Sequence, residues 1–257
     1  MSLGLAGRGL AGIGIVCGLL AIGLHVAFSG HYVDDGTVAA YLFFLLALAS
    51  HFPAEIGQDT RGAALGAVAF GLFLYGPALF AFDNLGDLDA GAWLGLCAGL
   101  IPFGLVLVRS AEREAGHSAP AGPSALDLRS PGLGPALLGL VLIVVGIWLP
   151  AGSHTGSSWH SSKTLAILML LLVAANALLA ARSPARSDAV LLVAAITFGL
   201  VTYPFVRGAF EQFGFLGSGS WIEAFGGIGL LAGVLATRAA AARAAAPAAA
   251  PSAAAAA

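Results

Sequence analysis

The sequence contains few charged residues. Asp, Glu, Lys and Arg make up 9% of the 257 residues, and the formal net charge is −2. A soluble domain carries about 25% charged residues, because its surface must stay hydrated. This composition cannot cover a water-facing globule, so most of the protein surface must face lipid. Since no basic stripe occurs, the sequence also predicts no nucleic-acid partner.

The residues of common catalytic motifs are equally scarce. Both cysteines, Cys17 and Cys97, lie in apolar runs, and their spacing matches no metal or redox motif. We interpret them as small buried residues. The segment 217–220 (GSGS) is similar to the surroundings of an intramembrane protease serine, but no histidine lies on the neighbouring predicted helices. The sequence therefore predicts neither an enzyme nor a bound metal or cofactor.

Long apolar runs are what the sequence has in quantity. Hydrophobic residues amount to 59%, and the mean hydropathy is +0.93. A helix needs about 20 apolar residues to cross the hydrocarbon core, where open strand edges do not occur. We therefore predict an all-α integral membrane protein with eight transmembrane helices. The predicted spans are 9–28, 37–53, 62–82, 91–108, 132–150, 163–181, 189–207 and 221–239.

The positions of Lys and Arg predict the orientation of these spans. With the N-terminus inside, Lys163 and Arg207 fall outside, and all the other basic residues near span ends fall inside. The inside set is Arg8, Arg61, Arg109, Arg113, Arg129, Arg182, Arg186, Arg238 and Arg243. By the positive-inside rule both termini are cytoplasmic. We expect a location in a bacterial inner (cell) membrane.

Composition also divides the chain into segments. Residues 1–108 hold four predicted spans and residues 132–239 hold the other four. Residues 109–131 are polar and rich in Pro and Gly, which predicts a cytoplasmic linker. Residues 240–257 form an Ala/Pro-rich tail that we expect to be disordered. Arg8 before the first run would also fit a cleaved signal peptide, but that run has an internal counterpart in the second half.

The two halves of the sequence repeat one another. A shift of 128 residues aligns Phe70–Gly99 with Phe198–Gly227 without a gap. Matched pairs include Gly71/Gly199, Tyr75/Tyr203, Trp93/Trp221 and the acid–amide pairs Asp83-Asn84/Glu211-Gln212. Because each half has an even number of helices, both halves have the same orientation. We therefore predict two tandem parallel four-helix repeats, an arrangement known from transporters.

The matched polar and aromatic residues lie at the predicted outer ends of the helices. One interpretation is structural, because Trp and Tyr favour the headgroup level and short polar groups cap helices. The other interpretation is a pair of outer mouths that open into a solute path. The candidate residues for this path are Tyr75, Asp83, Asn84, Trp93, Tyr203, Glu211, Gln212, Trp221 and Glu223.

Two ionisable residues within the spans need separate interpretation. Glu223 lies in the last span, where a central charge costs about 2.5–3.5 kcal/mol, and its repeat partner is Gly95. It either lines a wet vestibule or reaches the headgroups. His25 and His51 lie toward opposite faces of the membrane, so the sequence does not predict a haem held by two histidines.

The strongest repeat segment resembles a known channel family. FGLFLYGPALFAFDNLGDLDAGAWLGLCAGLI (Phe70–Ile101) and ALASHFPAEI (Ala47–Ile56) are similar to segments of the AmiS/UreI family of urea and short-chain amide channels. That family has six helices in two three-helix repeats, whereas this sequence predicts eight in two four-helix repeats. The resemblance implies that a neutral solute such as urea or an amide passes along an aromatic-lined path through each bundle.

These observations predict a channel or permease for a small polar, urea- or amide-like solute. The alternative is a non-transporting membrane protein that acts as an assembly subunit or a sensor through its cytoplasmic segments. We expect the lipid bilayer and a small neutral solute as partners. The glycine-rich helix faces would also allow a homo-oligomer.

Overall fold

The fold is given by a computed structural model. It describes residues 3–28, 40, 42–47, 49, 60–80, 93–94, 97–114, 130–151, 157, 162–183, 187–211 and 216–245. Within these ranges the chain is helical apart from short connections, and no β-strand occurs. One isolated β-bridge joins Pro150 and Ser157. This part of the chain is therefore all-α, as the composition predicts.

Seven α-helices lie in the described ranges. They are α1 (Leu3–Phe28), α2 (Thr60–Phe80), α3 (Leu100–Glu114), α4 (Leu133–Trp148), α5 (Lys163–Arg182), α6 (Asp188–Glu211) and α7 (Ser218–Ala245). A 3-10 turn, Cys97–Gly99, leads into α3, and residues 42–47 are helical as well.

Four of these helices are long and apolar enough to cross a membrane. The spanning segments are Gly4–Ala21 in α1, Lys163–Arg182 in α5, Asp188–Val206 in α6 and Ser218–Ala244 in α7. Shorter apolar stretches, Thr60–Tyr75 and Leu133–Trp148, belong to α2 and α4. Together they indicate a helical membrane protein.

The prediction of eight spans goes beyond what these helices establish. Of the predicted span 37–53, the structure describes residues 40, 42–47 and 49, all of them helical. Helix α3 continues to Glu114, inside the predicted linker, and α7 continues to Ala245, inside the predicted tail. Residues 115–129 and 246–257 lie outside the described ranges. Eight spans in two repeats therefore stay a prediction.

Ser162 determines where α5 begins and what it lies beside. Its Oγ accepts a hydrogen bond of 3.2 Å from the backbone N–H of Leu165, which caps one of the free donors in the first turn. The same hydroxyl donates to the carbonyl oxygen of Ala78, near the C-terminal end of α2, over 3.4 Å. The start of α5 is thereby held beside the end of α2.

Glycines spaced seven residues apart pack α4 against α7. Gly132, Gly139 and Gly146 lie against Gly233, Gly226 and Gly219, respectively. The partner numbers fall as the α4 numbers rise, so the two helices are antiparallel. A Cβ built on Gly226 would lie 2.9 Å from the backbone nitrogen of Ile143. Only a residue without a side chain allows backbones this close, which is how small residues pack membrane helices.

The same spacing joins α1 to the segment that contains α3. Gly7 lies against Gly104, and Gly14 lies against Cys97. A Cβ built on Gly14 would lie 3.0 Å from the carbonyl oxygen of Cys97. One turn further along α1, Gly18 leaves room for the ring of Phe44 from the helical segment 42–47. Both antiparallel pairs, α1–α3 and α4–α7, thus use glycines seven residues apart.

Helices α2 and α6 cross at one glycine from each. A Cβ built on Gly71 would lie 2.9 Å from the backbone nitrogen of Leu200 and 3.0 Å from the Cα of Gly199. A Cβ built on Gly199 would lie 3.1 Å from the Cα of Gly71 and from the nitrogen of Leu72. The contact is reciprocal and its partners differ by 128 in number, so α2 and α6 run parallel. This crossing joins the N-terminal and C-terminal groups of helices.

Apolar side chains also cover the outside of the helix bundle. Leu171 and Leu178 on α5 are exposed, as are Leu138 and Val141 on α4. Exposed apolar patches of this kind are typical of a surface that contacts lipid rather than water. The exposed faces agree with the spanning length of α5, α6 and α7.

Candidate functional site: two cavities and a tyrosine pair

Tyr75 and Tyr203 lie in contact at the α2–α6 crossing. Their rings are stacked, with centroids 4.3 Å apart and planes 13° apart. Each ring lies one turn beyond the glycine at which the helices touch. Tyr203 is buried, and both tyrosines pack against the core that also includes Val68 and Leu72. The pair therefore belongs to the packed junction between the helices, which the sequence repeat alone does not reveal.

A cavity of about 210 Å³ lies between the C-terminal half of α6 and the first turns of α7. We call it the Trp221 cavity. Aromatic rings form most of its wall, and residue 43 of the segment 42–47 contributes one of them. The lining residues are Phe43, Phe198, Thr202, Phe205, Val206, Trp221, Ala224, Phe225 and Ile228.

The aromatic residues of the Trp221 cavity hold one another in position. The rings of Phe205 and Trp221 meet edge to face, with centroids 4.9 Å apart and planes 81° apart. The rings of Trp221 and Phe225 are 6.1 Å apart. Such pairs are worth about 0.5–1.5 kcal/mol beyond the area they bury. Trp221 is thus a wall residue that α6 holds in place.

The Thr202 hydroxyl is a polar group in the wall of the Trp221 cavity. It donates to the carbonyl oxygen of Phe198 over 2.6 Å, one turn earlier on α6. A hydroxyl keeps lone pairs as acceptors after it has donated its hydrogen. The cavity therefore offers an aromatic surface with a hydroxyl oxygen that can receive a hydrogen bond.

Glu223 does not face the Trp221 cavity. Its side chain is 1% exposed and lies in the α4–α7 contact, against Gly146. Residues two apart on a helix point to nearly opposite sides, so Trp221 faces α6 while Glu223 faces α4. Replacing Gly146 by any larger residue would displace the Glu223 side chain. The acid is part of a helix contact, a placement that its sequence neighbours did not indicate.

The other candidate residues are not brought into this cavity by the described structure. Trp93 is 45% exposed, and its carbonyl oxygen accepts a hydrogen bond from the Cys97 thiol. Glu211 is the last residue of α6, but its side chain is outside the described set. Asp83, Asn84 and Gln212 lie outside the described residues.

A second cavity, of about 190 Å³, lies among α4, α5, α6 and α7. We call it the Asn176 cavity. It is at the opposite end of the bundle from the Trp221 cavity, beside the start of α4 and the end of α5. Its wall is formed by apolar residues such as Leu140, Val190 and Leu230, together with the polar residues Asn176 and Thr237.

Asn176 makes the polar contact between α5 and α6. Its Nδ2 donates to the carbonyl oxygen of Leu172 and to the Thr197 hydroxyl, each over 2.8 Å. Thr197 in turn donates to the carbonyl oxygen of Val193 over 2.8 Å. Hydrogen bonds of this kind hold helices together in lipid. Our sequence analysis missed Asn176, although a lone amide within the apolar run 163–181 was the available signal.

Polar contacts also close the end of the bundle next to the Asn176 cavity. The Ser130 hydroxyl donates to the Thr237 hydroxyl over 2.8 Å. Arg238 forms a 3.0 Å ion pair with Asp188 and donates to the carbonyl oxygen of Ser187 over 2.7 Å. These contacts tie the end of α7 to the beginnings of α4 and α6.

Comparisons with family models, with curated proteins and with solved structures return no match to this chain. Among the described residues no group of three or more His, Cys, Asp or Glu is placed to hold a metal ion. The functional interpretation therefore depends on the two cavities and on the helix contacts.

Proposed function

We propose that this protein is a multi-pass membrane channel or permease for a small polar solute, and that the Trp221 cavity binds the solute. The observation that carries this proposal is an aromatic wall with a hydroxyl acceptor, formed between two helices long enough to span the membrane. Binding cavities in proteins commonly combine apolar walls with a few placed polar groups.

The chemistry of the wall favours a neutral solute that has an apolar part. An ion would lose its hydration in the cavity without a charged group to replace it, which is costly. A short-chain amide can stack its carbon skeleton on Trp221 and donate its N–H to the oxygen of Thr202. We therefore propose an aliphatic amide as a better ligand than urea, which has no apolar part.

We further propose that the protein consists of two tandem parallel four-helix repeats in a bacterial inner membrane, with both termini cytoplasmic. Contacts related by a shift of 128 residues support this proposal. Phe70 packs against Gly99, and Phe198 packs against Gly227 in the same manner. The Gly71–Gly199 and Tyr75–Tyr203 contacts are reciprocal under the same shift.

Solute flux into proteoliposomes tests the proposal directly. We expect acetamide to enter liposomes that contain the protein faster than empty liposomes, and urea to enter more slowly than acetamide. Trp221→Ala removes the stacking surface and should lower acetamide flux about two- to ten-fold, given the usual value of an aromatic contact. Trp148→Ala is the matched control, because Trp148 is an exposed tryptophan outside the cavity wall.

Two results would contradict the proposed transport. One is flux equal to that of empty liposomes for both solutes with correctly folded protein. The other is equal flux through wild type and Trp221→Ala, which would make Trp221 a structural anchor.

A non-transporting assembly subunit or sensor is the second candidate function. The observation that favours it is the close backbone packing of α1–α3, α4–α7 and α2–α6, together with the apolar walls of both described cavities. A protein of this class would show no flux, and it would be recovered from membranes together with a stable partner.

A further inference from the structure

The Asn176 amide offers a hydrogen-bond acceptor that the described part of the chain does not use. The side chain is 3% exposed, and Oδ1 receives no hydrogen bond from the described residues. Leu172 contributes a carbonyl oxygen, which can only accept, so the amide must present its NH₂ group there. Because Leu172 and Thr197 take up the Nδ2 donors, Oδ1 is the atom that remains for the cavity.

A buried amide acceptor in lipid is costly unless a donor reaches it. Leaving a buried polar group without a hydrogen bond costs about 1–3 kcal/mol. A single water is poorly held in this cavity, since a buried water needs about two to four polar partners. The polar side chains in its described wall are Asn176 and Thr237, and Thr237 already accepts a hydrogen bond from Ser130.

The size and lining of the cavity match an apolar body. An engineered apolar cavity of about 150 Å³ stays dry and binds benzene, and the Asn176 cavity has about 190 Å³. Leu140, Val190 and Leu230 provide apolar contacts from three different helices. A small hydrocarbon ring or part of an alkyl chain therefore fits the space.

The cavity opens toward the outer surface of the helix bundle. Leu137 on α4 and Ala177 on α5 line it and are themselves exposed. In a membrane-spanning bundle this surface contacts lipid, so a ligand enters from the bilayer. Asn176 lies six residues before Arg182, the end of α5, which places it about 9 Å inside the helix end. A polar group that reaches Asn176 must therefore lie below the headgroup level.

We propose that the Asn176 cavity binds a membrane-soluble alcohol or phenol. The hydroxyl donates to Oδ1 of Asn176, and the apolar body fills the space between α4, α5 and α7. The site selects hydroxyl compounds over ethers and ketones of the same size, because these cannot donate a hydrogen bond. It is separate from the Trp221 cavity and requires no transport.

Photolabelling of the full chain in phosphatidylcholine nanodiscs tests this proposal. The probe is octanol that carries a diazirine on its chain, and peptide mass spectrometry locates the label. We expect labelled residues on α4, α5 and α7 in the cavity wall. Competition by 1-octanol should require about ten-fold lower membrane concentration than competition by its isomer heptyl methyl ether, as one hydrogen bond implies.

Three variants separate specific binding from simple partitioning into lipid. Asn176→Leu keeps the side-chain size but removes the acceptor, so octanol and the ether should compete equally. Ala180→Phe fills the cavity from its wall and should abolish labelling there. Ala181→Phe, at an exposed neighbour outside the wall, should leave labelling unchanged.

The proposal is overturned if the label falls outside the cavity wall, or if the ether competes with wild-type labelling as well as octanol does. It is also overturned if Asn176→Leu keeps the preference for octanol. The comparison of the two competitors on wild type and the Ala180→Phe variant decide the matter even if Asn176→Leu does not fold.

Discussion

The two halves of the protein share their helix contacts but differ in the cavity they could build from them. In the second half Thr202, Phe205 and Phe225 line the Trp221 cavity. A shift of 128 places Leu74, Pro77 and Cys97 at the corresponding positions of the first half. The first half keeps the matching tryptophan, Trp93, and that residue is 45% exposed.

This difference separates the residues that build the bundle from those that provide chemistry. Glycine–phenylalanine contacts and the stacked tyrosines occur with partners from both halves. The aromatic cavity wall does not, so these side chains are not needed to form the helix packing. Residues that differ between equivalent positions are therefore the better candidates for function, and those that match are the better candidates for stability.

The largest expected effect comes from filling a glycine contact between antiparallel helices. Gly139→Leu should lower the free energy of unfolding by more than about 3 kcal/mol, the top of the usual range for overpacking. The reason is that the side chain meets the α7 backbone, which cannot rotate away. Unfolding in SDS followed by circular dichroism measures the change. Gly134→Leu is the control, since a Cβ there has no neighbour within 4 Å.

The same test in the first half sharpens the comparison. Gly7→Leu should be as harmful as Gly139→Leu, whereas Gly9→Leu should be tolerated, because Gly9 has open space around it. A stable Gly7→Leu variant would show that the two halves do not share this mode of packing.

A smaller effect is expected at the crossing of α2 and α6. Gly71→Ala and Gly199→Ala should each cost about 1–3 kcal/mol, and the two values should agree because the contact is reciprocal. The double variant should cost less than the sum, since the first substitution already separates the helices. Thermal unfolding of the single and double variants provides the data. Strongly unequal single effects would mean that the crossing is not symmetric.

The smallest effect is expected from a contact that belongs to the second half. Arg238→Gln removes the ion pair with Asp188, whose side chains are partly exposed, and should cost about 0–1 kcal/mol. The loss should shrink at high salt. In the first half Thr60 and Ser110 stand at the shifted positions, so no equivalent ion pair can form. Arg243→Gln, at an exposed arginine near the end of α7, is the control, and an equal loss there would show a general charge effect.

Much of the fold follows from hydropathy, because lipid requires helices and helices require long apolar runs. The glycines at 132, 139 and 146 and at 219, 226 and 233 were also visible in the sequence. Their pairing was not, since it depends on which helices become neighbours. The same limit applies to Tyr75 and Tyr203, whose alignment in the repeat does not imply that their rings touch.

The candidate site was less predictable than the fold. Trp221 was identified from the repeat, but its partners Phe205 and Phe225 were not, because an aromatic residue in an apolar run gives no signal of its own. Asn176 could be noticed as a lone amide, yet its unused acceptor depends on Thr197 from another helix. Glu223 was noticed for its charge, and only the position of Gly146 explains where its side chain lies.

The reciprocal crossing of α2 and α6 has the form of an isologous interface, in which both sides present the same surface, as in a twofold dimer. A half-length protein that carried this surface would pair with a second copy of itself, and its assembly would depend on its concentration in the membrane. Residues 109–131 join the two surfaces in one chain. A tether of this kind replaces concentration by a fixed effective concentration, so the pairing of the halves no longer depends on the expression level.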